Sequence, residues 1–94
     1  MRIQIKTSRW YDEEKTAFCF AGYSQHSVSH NNKRMKYTNK EIDYFMTEHQ
    51  GNFYLYPAEK DGFAQKILRI SAKKNQSTIF WAKDYLFDEV IKNF

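Results

Sequence analysis

The chain has 94 residues, which suits one small domain with a modest core and little stability to spare. Lys and Arg outnumber Asp and Glu 15 to 11, a net charge of +4 that favours polyanion partners, chiefly nucleic acid, and carries no information about fold. A single cysteine, Cys19, excludes an internal disulfide and fits a reducing, cytoplasmic compartment, and no apolar run approaches the ~18 residues of a membrane span, so no membrane partner is expected.

Ile3 and Ile5 alternate with Arg2, Gln4 and Lys6, which predicts a strand over 2–7 with one buried face. No signal peptide is expected ahead of it. Trp10 to Lys15 is polar and reads as a hairpin turn into a partner strand over 16–21. There Phe18 and Phe20 share one face; Ala17, Cys19 and Ala21 line the other, a small side on which a helix would pack. Cys19 reads as a buried small hydrophobe. Gly22 to Lys36 has no apolar period and reads as a long surface loop, of a length usually tied to function. Thr38 and Glu41 then form a T-x-x-E capping box, and Ile42, Phe45, Met46 and His49 follow at i, i+3, i+4 and i+7. A helix over 39–49 is predicted, stopped by Gly51. Asn52 to Tyr56 are strand formers closed by Pro57, Lys66 to Ser71 reads as the next strand, and Thr78 to Trp81 as a short strand or an extended arm. Asp84 opens a final helix with Val90, Ile91 and Phe94 on its apolar side.

The expected fold is therefore α+β, a single domain over 1–94. It has a small mixed or antiparallel sheet of four to five strands (about 2–7, 16–21, 52–57, 66–71 and 78–81), one packed helix (39–49) and a C-terminal helix (84–93). Aromatic residues, at 18%, supply large apolar area to a small core.

IDYF at 42–45, FYLYP at 53–57 and LRI at 68–70, spaced by a polar turn and a loop, resemble the C-terminal half of PD-(D/E)XK nucleases, in particular the branch found as homing endonucleases of group I introns. RIQIKTSR at 2–9 resembles the strand that carries that family's catalytic lysine. The resemblance runs from Arg2 to about Tyr85. It implies phosphodiester hydrolysis with one or two divalent metals, which lower the pKa of a bound water and clamp developing charge. Magnesium needs hard oxygen ligands, so an aspartate and a second carboxylate must converge, with a lysine beside them as a point charge. The family places the aspartate on one strand and (D/E)-x-K on the next.

Gln4-Ile5-Lys6 matches the second element as Q-x-K, with both polar side chains on one side of the strand. Glutamine in the acid position is a neutral ligand at best, and no residue ahead of Gln4 matches the aspartate. The resemblance thus implies a nuclease core without its front, in which Gln4 and Lys6 are vestigial. The expectation is no catalytic residue, no metal site and no cofactor. Asp12, Glu13 and Glu14 lie past the far end of the strand, too distant at about 3.3 Å per residue to share a metal with Lys6. Asp43 is expected to face solvent or pair with Lys40. His26, His30 and His49 lack metal-ligand spacing with each other or with Cys19, and His49 is expected to meet a helix C-terminal dipole.

Binding is better represented. Lys33, Arg34, Lys36 and Lys40, flanked by Asn31, Asn32 and Tyr37, form the most concentrated positive stretch; in the family the matching region lies beside the DNA groove. Arg9, Lys73 and Lys74 complete the candidate contacts. Three readings follow: a non-catalytic protein that grips nucleic acid or a nucleic-acid-bound protein; an inhibitor of a host defence nuclease from a phage or mobile element, anti-CRISPR-like, acting by protein binding; or a homing-endonuclease fragment that needs an upstream segment. A sheet without its front also exposes a strand edge, so self-association through 2–7, or cover by Trp10 or the C-terminal helix, is expected.

Overall fold

The computed structural model describes residues 1–23, 36–71 and 79–94. Its strands are β1 (Ile3–Thr7), β2 (Arg9–Trp10), β3 (Ala17–Ala21), β4 (Tyr44–His49), β5 (Asn52–Pro57) and β6 (Gln65–Arg69), followed by a 3-10 turn (Ala82–Tyr85) and a short helix, α1 (Phe87–Ile91). The class is α+β, and the strands form two three-stranded sheets, β1–β4–β5 and β2–β3–β6.

Residues 39–49 are not helical. The capping box does form: the Thr38 N–H donates to Glu41 Oε2 at 2.8 Å, and the Thr38 hydroxyl bonds the same oxygen. It closes one turn, with the Glu41 and Ile42 N–H groups on the Thr38 carbonyl, and the chain then straightens into β4. The helical spacing of Ile42, Phe45, Met46 and His49 coincides with a period of two in Phe45, Thr47 and His49, which are the residues that β4 buries. Gln50 (φ 53°) and Gly51 (φ 83°) are both left-handed, so they make the primed two-residue turn of a β4–β5 hairpin rather than a helix stop. His49 accordingly meets no helix dipole.

Strand partners also differ from expectation. β1 leaves the hairpin and pairs in parallel with β4, from Ile3 opposite Tyr44 to Thr7 opposite Glu48. The hairpin around Asp12 to Lys15 joins β2 to β3 instead, and β6 completes that antiparallel sheet. Among the described residues no helix lies on the small side of β3. Ala17 and Cys19 are buried, and long side chains share that side: Arg9 donates to Cys19 Sγ at 3.5 Å, while Arg69 lies 5.8 Å from the Tyr11 ring centre and pairs with Asp12 at 3.7 Å. Of the expected fifth strand, Trp81 makes an isolated bridge to Arg69; residue 78 lies outside the described residues. The C-terminal helix over 84–93 is resolved into the 3-10 turn and α1, which pack on β5.

The core lies between the sheets and is largely aromatic. Phe18, Phe20 and Leu68 face Phe45, Tyr54 and Tyr56, with Phe63 wedged between Phe20, Phe45 and Tyr56 at ring-centre distances of 5.9, 5.1 and 5.7 Å. Gly22 is required by close approach: a β-carbon there would lie 2.4 Å from the Phe63 carbonyl oxygen.

Two polar side chains sit at the margin of this core. Lys66 Nζ lies 5.1, 5.0 and 4.4 Å from the ring centres of Tyr56, Phe63 and Phe80 and pairs with Glu59 at 2.8 Å. Tyr56 donates to the same carboxylate at 2.6 Å, and burial, reinforced by Glu59, raises its phenol well above the usual range. Burial would raise the Glu59 carboxyl as well, but the hydrogen bonds from Lys66 and Tyr56 outweigh it and hold it low. His49 is 6% exposed, stacked on Phe18 at 4.1 Å with the Trp10 ring edge-on at 4.3 Å. The Ser8 hydroxyl donates to the Glu48 carbonyl at 2.6 Å and lies 2.8 Å from His49 Nδ1. A carbonyl only accepts, so the single Ser8 proton goes there and Nδ1–H donates to Ser8. Nε2 is then a bare acceptor without a partner among the described residues.

Lys66→Ala should cost about 2 kcal/mol in urea denaturation, through the lost cation–aromatic contacts and the stranded carboxylate. Lys92→Ala, which removes an exposed pair with Glu89, should change stability by less than about 0.5 kcal/mol. A second expectation concerns pH. Burial lowers the His49 pKa, so the unfolded chain takes up the proton first, near pH 6.5. Stability should be full above that value and fall as pH drops through it and below, until the folded-state pKa is passed. His49→Phe should flatten this slope in denaturation curves taken across about pH 8 to 5.

Candidate nucleic-acid interface

Parallel pairing with β4 sets the orientation of the Q-x-K strand. Gln4 sits opposite Phe45 and Lys6 opposite Thr47, so both polar residues share the side of the sheet that carries the buried residues of β4. The Thr47 hydroxyl donates to the Lys6 carbonyl at 2.8 Å and pins that position. The Lys6 ammonium donates to the Tyr23 carbonyl at 2.6 Å and lies 5.5 Å from the centre of the Tyr37 ring. Partial burial lowers its pKa.

Tyr23 and Tyr37 reach Lys6 because the chain closes on itself there. Tyr23 bridges Lys36, the Tyr37 N–H donates to the Gly22 carbonyl at 2.9 Å, and the Gly22 N–H donates to the Ala64 carbonyl at 3.0 Å. Arg9, on the neighbouring β2, donates to Gln65 Oε1 at 3.2 Å and to Cys19 and is within electrostatic reach of Tyr23. Tyr23 is thus the common neighbour of three cations: its carbonyl holds Lys6, it bridges Lys36, and it lies within electrostatic reach of Arg9. Lys40 is exposed on the Thr38 turn, where its carbonyl accepts from Arg2 at 2.7 Å. Lys33, Arg34, Lys73 and Lys74, with Asn31, Asn32, His26 and His30, lie outside the described residues.

The carboxylates have other partners. Asp12 accepts from the Thr16 N–H at 2.8 Å and pairs with Arg69 in the β2–β3 hairpin. Asp43 does not pair with Lys40. It accepts the Arg2 N–H at 2.7 Å and faces the Arg2 guanidinium at 3.7 Å, and the N–H bond lowers its pKa. That places Asp43 at the Arg2 end of β1, four residues or about 13 Å along the strand from Lys6. Glu41 is bonded by Thr38, which lowers its pKa, Glu48 accepts the Gly51 N–H at 2.7 Å, and Glu59 holds Lys66. Among the described residues no three His, Cys, Asp or Glu side chains converge as a metal site would require.

Sequence reasoning missed Tyr23, whose main-chain carbonyl orients the lysine, and Ser8, whose hydroxyl sets the His49 tautomer. Neither carries a local signal; a main-chain acceptor works with any side chain.

The described geometry is a lysine-bearing strand in a mixed sheet, and the profile of the PD-(D/E)XK endonuclease family matches residues 1–88. The chain belongs to the PD-(D/E)XK endonuclease family. No curated protein and no solved structure matches it.

The Lys6 amine should titrate at lower pH than a free lysine side chain, read from the ε-carbon chemical shift of selectively labelled protein. Tyr37→Ala, which opens the site to water, should move that titration upward.

Proposed function

We propose that this chain binds nucleic acid, or a protein carrying nucleic acid, through the side of the molecule that holds Lys6, Arg9 and Lys36, and that it does not cut by itself. One observation carries the reading. Lys6, Arg9 and Lys36 all neighbour Tyr23 beside the Q-x-K strand, while each carboxylate described above is engaged by another partner. Cations held beside aromatic rings suit phosphate contacts with base or sugar stacking nearby. A hydrolytic site of this family needs acids converging on the lysine, and the acids named above point elsewhere. Descent from the homing-endonuclease branch fits the Q-x-K spacing. Binding to a defence nuclease–guide RNA complex is the same chemistry with a different owner of the phosphates.

The test is a binding titration on duplex and single-stranded DNA and RNA over a salt series. Affinity should fall steeply with salt, with the log–log slope shrinking by about 0.9 for each duplex phosphate contact removed in Lys6→Ala, Arg9→Ala and Lys36→Ala. A flat salt response would remove the phosphate contacts. Nicking of plasmid DNA by this chain alone with magnesium or manganese would overturn the non-catalytic half.

A further inference from the structure

Among the described residues the other side of β1 is exposed. β1 borders its sheet, and among the described residues only β4 pairs with it. The Arg2 carbonyl accepts the Asp43 and Tyr44 N–H groups and the Lys6 carbonyl accepts the Thr47 hydroxyl, so the even-numbered residues turn their main chain toward β4. Ile3, Ile5 and Thr7 therefore turn N–H and C=O toward the open edge. The bond from the Gln4 amide to the Ile5 carbonyl is long, 3.4 Å, and easily exchanged. The side chains of the same residues are bare: Ile3 is 40% and Ile5 72% exposed, while α1 packs on β5, two strands away. Neither α1 nor Trp10, which is held in the core margin by His49, covers them. Parallel strands are normally buried on both faces. β1 has no proline to blunt its edge, and its lysine is turned away and held by Tyr23.

We propose that β1 pairs antiparallel with β1 of a second copy about a two-fold axis through Ile5, joining two sheets into one of six strands. The main-chain polarity and the charges select both the occupant and the register. Residues that face the open edge must pair with residues that face it in the copy, so only odd-to-odd registers are allowed. With Ile5 opposite Ile5, Ile3 meets Thr7 and Gln4 meets Lys6, which gives about six main-chain hydrogen bonds and sets no like charges opposite each other. A shift of the pairing by two residues one way sets Arg2 opposite Lys6; a shift the other way sets Lys6 opposite its own copy. Both are repulsive. The chosen register also brings Ile3 and Ile5 of both copies onto one continuous apolar strip beside Met46, which lies opposite Ile5 on β4. The interface is isologous, so it closes at two copies.

The experiment combines sedimentation with cysteine cross-linking in a Cys19→Ala background. The unmodified chain should sediment as a dimer at high micromolar concentration. Ile5→Lys, which sets two ammonium groups on the axis at an exposed position, should give a folded monomer by circular dichroism and sedimentation. On mild oxidation Ile5→Cys should form a disulfide-linked dimer, because a hydrogen-bonded pair holds its Cα atoms about 5.5 Å apart. Ile3→Cys should not cross-link to itself, yet should cross-link when mixed with Thr7→Cys. A monomer at millimolar concentration, a dimer that survives Ile5→Lys, or equal self-cross-linking at positions 3 and 5 would each overturn the proposal. Such a failure leaves the nucleic-acid reading standing, since Ile5 and Lys6 point to opposite faces.

Discussion

The structure depends on the contact between Arg2 and Asp43 at the head of the β1–β4 pair. A parallel pair has no tight turn to set its register, so something else must set it. Here the Arg2 N–H and guanidinium both engage Asp43, the Arg2 carbonyl accepts from Asp43 and Tyr44, and a further guanidinium N–H reaches the Lys40 carbonyl. These bonds hold the residue just before β1 to the turn that leads into β4. Every later residue of β1 inherits its direction from that point, and a slip of one residue would exchange Gln4 and Lys6 for Ile3 and Ile5 on the inner face.

From this constraint follow the two unlike faces of one strand. The inner face carries a lysine that is partly desolvated and aimed by a main-chain carbonyl, beside the cations of β2 and the Tyr23–Lys36 bridge. The outer face is apolar, and among the described residues nothing pairs along its edge. The partners of the acids, Arg2 for Asp43, Arg69 for Asp12 and Lys66 for Glu59, account for the stability of the turns and loops around the strand.

A chain this short has little interior, and it fills that interior with rings. Phe18, Phe20, Phe45, Tyr54, Tyr56 and Phe63 all lie in the core between the sheets. Polar groups are admitted only where a ring or a specific partner receives them: Lys66 among three aromatics and Glu59, Arg69 beside Tyr11 and Asp12, His49 between Phe18 and Trp10 with Ser8. The high aromatic content is thus structural first, with the half-exposed Tyr23 and Tyr37 left beside Lys6.

Read alone, the sequence determined the strands over 2–7, 16–21, 52–57 and 66–71 to within about two residues, the turn before Thr16, and the family, because alternation, turn chemistry and RIQIKTSR are all local. It could not determine the state of 39–49. Ile42, Phe45, Met46 and His49 satisfy a helical period, and Phe45, Thr47 and His49 satisfy an extended one. The choice fell to the ladders that β1 and β5 offer on either side of β4, and those ladders exist only in the folded chain. Tertiary structure alone decided that the strands divide into two sheets, that β1 runs parallel to β4, and that Lys6 meets the Tyr23 carbonyl. The physical reason is common to all three: each rests on a main-chain carbonyl that accepts from a residue distant in sequence, and main-chain carbonyls are the same at every position of the sequence.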